Sequence, residues 1–190
     1  MKRIKFALKI LAVLPCLLFL LSCAIDNTEQ SGSFLIIVSI TGQTADGADA
    51  DFYESEVQDD TTLNVYEDVA EASIQAKLKE PEAVLGPYSW NNIIVTSYTV
   101  TYENLDVAGG PVPSSFTGYL NALIEIDATV DVSFILVRST AKNQTPLQGL
   151  KGTTNSLNVR ATIIFYGHDL ADNQVQVSGN ITIHFADWVN

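Results

Sequence analysis

Cysteine is nearly absent: Cys16 and Cys23 are the only two among 190 residues, and none follows position 23. The body of the chain therefore has no disulfide, no thiolate nucleophile and no cysteine metal centre. Histidine is equally scarce. Only His168 and His184 occur, and a zinc site needs further nitrogen or sulfur ligands at close spacing. Basic charge is short as well, with 10 Lys plus Arg against 22 Asp plus Glu. Such a surface repels phosphate, which excludes a nucleic-acid binder. No Gly-x-Ser-x-Gly elbow presents a serine, and no Gly-x-Gly-x-x-Gly or phosphate loop opens a nucleotide site. Helical periodicity is missing after the first thirty residues. The 47% apolar content is nevertheless too high for a disordered chain, and 190 residues predict one domain.

What is present begins with a positive leader. Lys2, Arg3, Lys5 and Lys9 precede a 12-residue apolar run, Ile10 to Leu21, and no acid stands among the first 22 residues. The remaining 168 residues carry six bases against 22 acids, a balance of −16. A bilayer span needs about 20 apolar residues, so the run fits the core of an export signal instead. It ends in Leu20-Leu21-Ser22-Cys23, which resembles a bacterial lipobox. The resemblance implies removal of residues 1–22, a diacylglyceryl thioether on Cys23, and an acyl chain such as palmitate on the new amine. Two or three chains hold a protein to a membrane where one holds only marginally. Ala24, where Asp would imply inner-membrane retention, implies the outer membrane. Residues 23–33 read as a lipid-anchored flexible tether, since Asp26 to Ser33 contains no apolar side chain. The alternative is a plain secretory signal cut nearby.

Seven runs of period-two alternation follow: Phe34–Ile40, Ala72–Leu78, Ile94–Tyr102, Leu120–Ile126, Val130–Leu136, Leu157–Phe165 and Val175–Phe185. Alternation means one buried and one wet face, as in antiparallel sheets, and seven such runs predict a two-sheet sandwich over 34–190. Ile94 shares the phase of Tyr98, Val100 and Tyr102. Asp127-Ala128-Thr129 predicts a hairpin between the fourth and fifth runs, and Gly167 to Asn173 one between the last two. Gly179 predicts a bulge, and Leu63 with Val65 a short edge strand inside the long connection 42–69.

That connection is also the most unusual segment, with nine acids and no Lys or Arg. Calcium takes six to eight oxygen ligands, which makes Asp46, Asp49, Asp51, Asp59 and Asp60 candidate ligands. Against this, Gly47 comes second in Asp46-Gly47-Ala48-Asp49-Ala50-Asp51 where an EF-hand loop needs it sixth, and a solvated loop that keeps the protein soluble is the alternative. Phe52, Tyr53, Tyr66, Tyr88, Trp90 and Trp188 lie in or near loops, either capping the sheets or stacking on sugar rings.

Phe165-Tyr166-Gly167-His168-Asp169-Leu170-Ala171-Asp172-Asn173, His184-Phe185-Ala186-Asp187-Trp188 and Val137-Arg138-Ser139-Thr140-Ala141-Lys142 resemble uncharacterised bacterial lipoproteins with immunoglobulin-like (fibronectin type III-like) domains. The resemblance implies an all-β, seven-stranded antiparallel sandwich behind a cleaved lipoprotein signal, and carries over no catalytic residue. The expectation is a non-catalytic interaction or structural module on the extracytoplasmic side of a bacterial membrane, without a cofactor. Its partner would be an envelope protein or polysaccharide. A calcium-stabilised or carbohydrate-binding module is the alternative, and a small hydrolase a more remote one.

Overall fold

The computed structural model describes residues 31–59, 61–82 and 89–188. The expected signal peptide 1–22, Cys23 and most of the expected tether lie outside the described residues, as do Asp60 and Tyr88. Nine strands follow in chain order: β1 (Ser33–Gln43), β2 (Asp49–Ala50), β3 (Phe52–Glu56), β4 (Asp68–Leu78), β5 (Ile93–Asn104), β6 (Phe116–Ile124), β7 (Thr129–Val137), β8 (Ser156–Asp169) and β9 (Gln174–Ala186). Helix among the described residues is confined to α1 (Ser139–Lys142) and single 3-10 turns at Ser89–Asn91 and Leu147–Leu150. None of it is long and apolar enough to cross a membrane. One sheet has the order β2-β1-β4-β7 and the other β3-β9-β8-β5-β6. The chain is all-β in two sheets, an arrangement compatible with a β-sandwich, with nine strands rather than the expected seven.

Six of the alternating runs fall within one strand each, the fourth runs past the end of β6 to Ile126, and the two extra strands come from the acidic connection. Phe52 to Glu56 alternates after all, with Tyr53 and Ser55 buried and the acids on the opposite side. This strand lies parallel to β9, from Phe52 opposite Thr182 to Glu56 opposite Ala186, so the sheets are not wholly antiparallel. Gly42 permits the crossing, because any Cβ there would overlap the Phe52 carbonyl. The edge strand expected at Leu63 and Val65 does not form. Leu63 is exposed with φ at +57°, which no extended strand accommodates.

Where both faces of a run are apolar, pairing decides which turns inward. The even-numbered row of β1 faces solvent at Phe34 and Ile36, opposite Lys77 and Gln75, while Leu35 and Ile37 face Ala76 and Ile74. A register shift between Ile37 and Ser39 leaves Val38 outside and returns Ile40 to the core. A similar shift between Val95 and Ser97 separates Ile94 from the row of Tyr98 and Val100. Gly179, expected as a bulge, continues the β8–β9 ladder without interruption opposite Ile163. Its missing side chain serves packing: a Cβ would stand 2.7 Å from Ile40 Cδ1 and 2.8 Å from Ile37 Cδ1 on the other sheet.

The last two strands pair as the expected hairpin. The fourth and fifth runs do not: β6 pairs with β5 in one sheet and β7 with β4 in the other. Asp127, at φ +65°, donates its N–H to Ala76 O at 2.9 Å, and this turns the chain across to the second sheet. Between the sheets, Tyr98, Phe134 and Phe165 meet edge-to-face or tilted with centroids 5.4–5.9 Å apart. Each such buried side chain contributes about 1.5–3 kcal/mol, which is how a domain without disulfides coheres.

Candidate functional site

Described residues of the segments 43–68 and 137–156 meet at one end of the sheets, where Lys142 and Asp68 join them as an ion pair. Asp68 opens β4 in the inward phase of Ala70, Ala72 and Ile74, so the alternation itself drives a carboxylate into the core. Lys142 closes α1, and its side chain is only 2% exposed. Its Nζ donates to Asp68 Oδ1 at 2.6 Å and to the Glu56 carbonyl at 2.8 Å. Ser55 Oγ donates to Asp68 Oδ2 at 2.6 Å. Burial pushes the Asp68 carboxyl above the ordinary carboxylate range, while the ammonium and the two hydrogen bonds oppose it. Burial, with the Asp68 charge beside it, also pushes the Tyr53 phenol up to about 12.

Above this pair lies a cavity of about 330 Å³ lined by Glu54, Glu56, Asp59, Glu67, Tyr66 and Trp188 among others. A second, of about 390 Å³, adjoins it along β1 and β4 and shares Gln43, Tyr53 and Glu67. Chemically the pair is a clamp. It fixes β3 and α1 to the base of β4, with two of the three Lys142 N–H donors on Asp68 and the Glu56 carbonyl.

The four described calcium candidates, Asp46, Asp49, Asp51 and Asp59, do not come together. Asp46 accepts from Thr44 Oγ1, which with the Ala48 backbone holds its pKa below the usual range. Asp49 pairs with Gln43 in β2, and Asp51 is exposed between β2 and β3. Asp59 accepts from the Thr61 and Thr62 backbone at 3.0 and 2.6 Å and from Thr62 Oγ1 at 2.8 Å. Among the described residues, no three His, Cys, Asp or Glu are placed to hold a metal ion. The loop aromatics also divide: Tyr53 is buried, Phe52 packs edge-on against His184, Tyr66 and Trp188 rim the acidic end, and Trp90 stands exposed at the other. His184 Nδ1 lies 2.5 Å from Asn158 Oδ1, and His168 Nδ1 lies 2.9 Å from Asp169 O in the opposite half of the sheet.

No protein-family model matches the chain, and no curated protein matches it in sequence.

The end opposite the ion pair is organised by Asp169, a residue that sequence reasoning missed. Burial works against its carboxylate, but hydrogen bonds from Asn173, Ser31 and Ala171 together hold its pKa below the ordinary value. Ser31 and Ser33, expected in the tether, are buried, and Ser33 Oγ donates to Asn91 O at 2.8 Å. The folded domain therefore takes in the last tether residues. From Ser33, β1 then carries the chain roughly 33 Å to the acidic end.

Proposed function

We propose that this chain is a lipid-anchored, non-catalytic interaction module of a bacterial cell envelope, held to the outer membrane through Cys23. The observation that carries the reading is polarity. Ser31, eight positions after Cys23, is already buried in the domain, and the acidic, aromatic-rimmed cavity lies at the far end of β1. An anchor at one end and a recognition surface at the other is the arrangement a presenting module needs. The strand order supports an immunoglobulin-like reading: the amino-terminal strands are divided between the sheets, with β3 parallel to the last strand and β4 between β1 and β7.

Replacing Cys23 by Ala and fractionating cells tests the anchor. Release from membranes or stalled processing is expected, together with a lipid-modified amino-terminal cysteine in the unaltered chain. Mature protein found soluble, with an unmodified sulfur, would overturn it.

A further inference from the structure

The outer face of the larger sheet departs from the charge of the rest of the protein. Cross-strand register sets its outward residues in rows across β6, β5, β8 and β9. Tyr119, Ser97, Tyr166 and Gln176 form one row. The row above runs Leu123, Ile94, His168 and Gln174, and the row below runs Thr117, Thr99, Ile164 and Ser178. Thr101, Thr162 and Asn180 make a fourth. No Asp, Glu, Lys or Arg stands in these four rows, on a chain with 22 acids. Charge returns only beyond them, with the exposed pair Glu103 and Arg160 at 3.3 Å. Tyr119 is the most exposed large apolar side chain among the described residues, at 84%.

We infer that this face binds a neutral polysaccharide, whose sugar rings stack on Tyr119 and Tyr166. The inference rests on the reading of the chain as an interaction module, and it assigns a second surface, separate from the acidic cavity, together with the chemical class of its partner. Three observations select that partner. The first is charge: an uncharged face gains nothing from an ionic ligand, a polyanion is repelled by the surrounding acids, and a cation is drawn to the opposite end of β1 instead. The second is spacing. Tyr119 and Tyr166 are each one strand away from Ser97, which puts them two strand spacings apart, ~9.6 Å. That span is close to the length of two hexose units of an extended chain, so the tyrosines can carry alternate rings of one ligand. The third is the surrounding functional groups. Gln176 lies beside Tyr166 in the register, and Thr162 Oγ1 donates to Asn180 Oδ1 at 2.7 Å, which leaves the Asn180 amide N–H groups for sugar hydroxyls.

A second copy of the chain fits less well. Four strands by four rows cover on the order of 400 Å², whereas a stable dimer buries about 800 Å² from each partner.

The test is affinity electrophoresis of the full chain in non-ionic detergent, in native gels containing hydroxyethyl cellulose, mixed-linkage β-glucan, glucomannan or dextran. Retardation by at least one of these neutral polysaccharides is expected. Tyr119→Ala and Tyr166→Ala should each weaken it about tenfold, as loss of a central aromatic does. Tyr166→Phe, which keeps the ring, should retain binding, and Glu67→Gln at the acidic end should leave it unchanged. Equal thermal midpoints for Tyr119→Ala and the unaltered chain separate lost contact from lost fold. Absence of retardation in every gel overturns the inference, as does retardation that survives both alanine variants. Self-association abolished by Tyr119→Ala without polysaccharide also overturns it, by making a second copy the occupant. Membrane fractionation of Cys23→Ala reads the anchor separately, so either result can fail while the other stands.

Discussion

Replacing Lys142 by Ala removes the cation from a carboxylate that the fold keeps in its interior. Asp68 is 5% exposed and would retain only Ser55 as a hydrogen-bond donor among the contacts described above. Breaking a buried pair from one side costs about 3–5 kcal/mol, most of it the burden of an unpaired buried charge. At about 2–4 °C per kcal/mol for a domain of this size, the midpoint should fall by roughly 6–20 °C. The orphaned carboxyl has one escape, which is to take up a proton. Its folded pKa already lies above 3.8 through burial, and losing Lys142 removes two of the influences that lower it. In the unfolded chain the same carboxyl titrates at its ordinary value. Between that value and the raised one, the folded variant binds more protons than the unfolded, so its stability rises as pH falls, by up to ~1.4 kcal/mol per pH unit. The deficit should therefore narrow on acidification. Asp68→Leu combined with Lys142→Met removes both charges and should recover most of the loss, with no such slope. Thermal and urea melts from pH 4 to pH 8 read all three proteins. A Lys142→Ala deficit below about 1 kcal/mol, or a double variant as unstable as the single, would refute the clamp.

Two further outcomes follow from packing and from the acidic segment. Gly118→Ala should cost about 1–3 kcal/mol, because its Cβ would overlap the Tyr98 ring, which is held in place by the Ile135 N–H at 3.0 Å; a urea midpoint equal to the unaltered chain would mean that the ring moves freely. Millimolar calcium followed by chelator should leave the thermal midpoint within about 1 °C, since Asp46, Asp49, Asp51 and Asp59 serve separate local structures. A calcium-dependent rise of several degrees would show that these carboxylates gather around the ion.

Much of the strand content was legible because period-two alternation is a local property. Ala72, Ile74, Ala76 and Leu78 alternate so cleanly with polar residues that β4 has one possible inward face, and β1 then takes its register from it. Alone, β1 was ambiguous, being apolar on both faces. Asp68 left a readable trace, a charge in the phase of Ala70 and Ala72. Lys142 left none, since it lies in a connection where no period constrains its direction. The flanking acids concealed β3, whose inward residues are only Tyr53 and Ser55. The uncharged rows were hidden for a different reason. Tyr119 and Tyr166 are 47 positions apart in sequence and become neighbours in one row only through Ser97.

By itself the sequence determined that the body of the chain is all-β, that its strands lie close to where alternation placed them, and that β8 returns through a tight turn into β9. These follow from contacts between residues near one another along the chain. Tertiary structure decided which sheet each strand joins, that β6 and β7 part company across a short turn, and that Asp68 meets Lys142. Those outcomes depend on pairings between distant segments, where hydrogen-bond register and the burial of one shared core choose among alternatives that local pattern leaves equal.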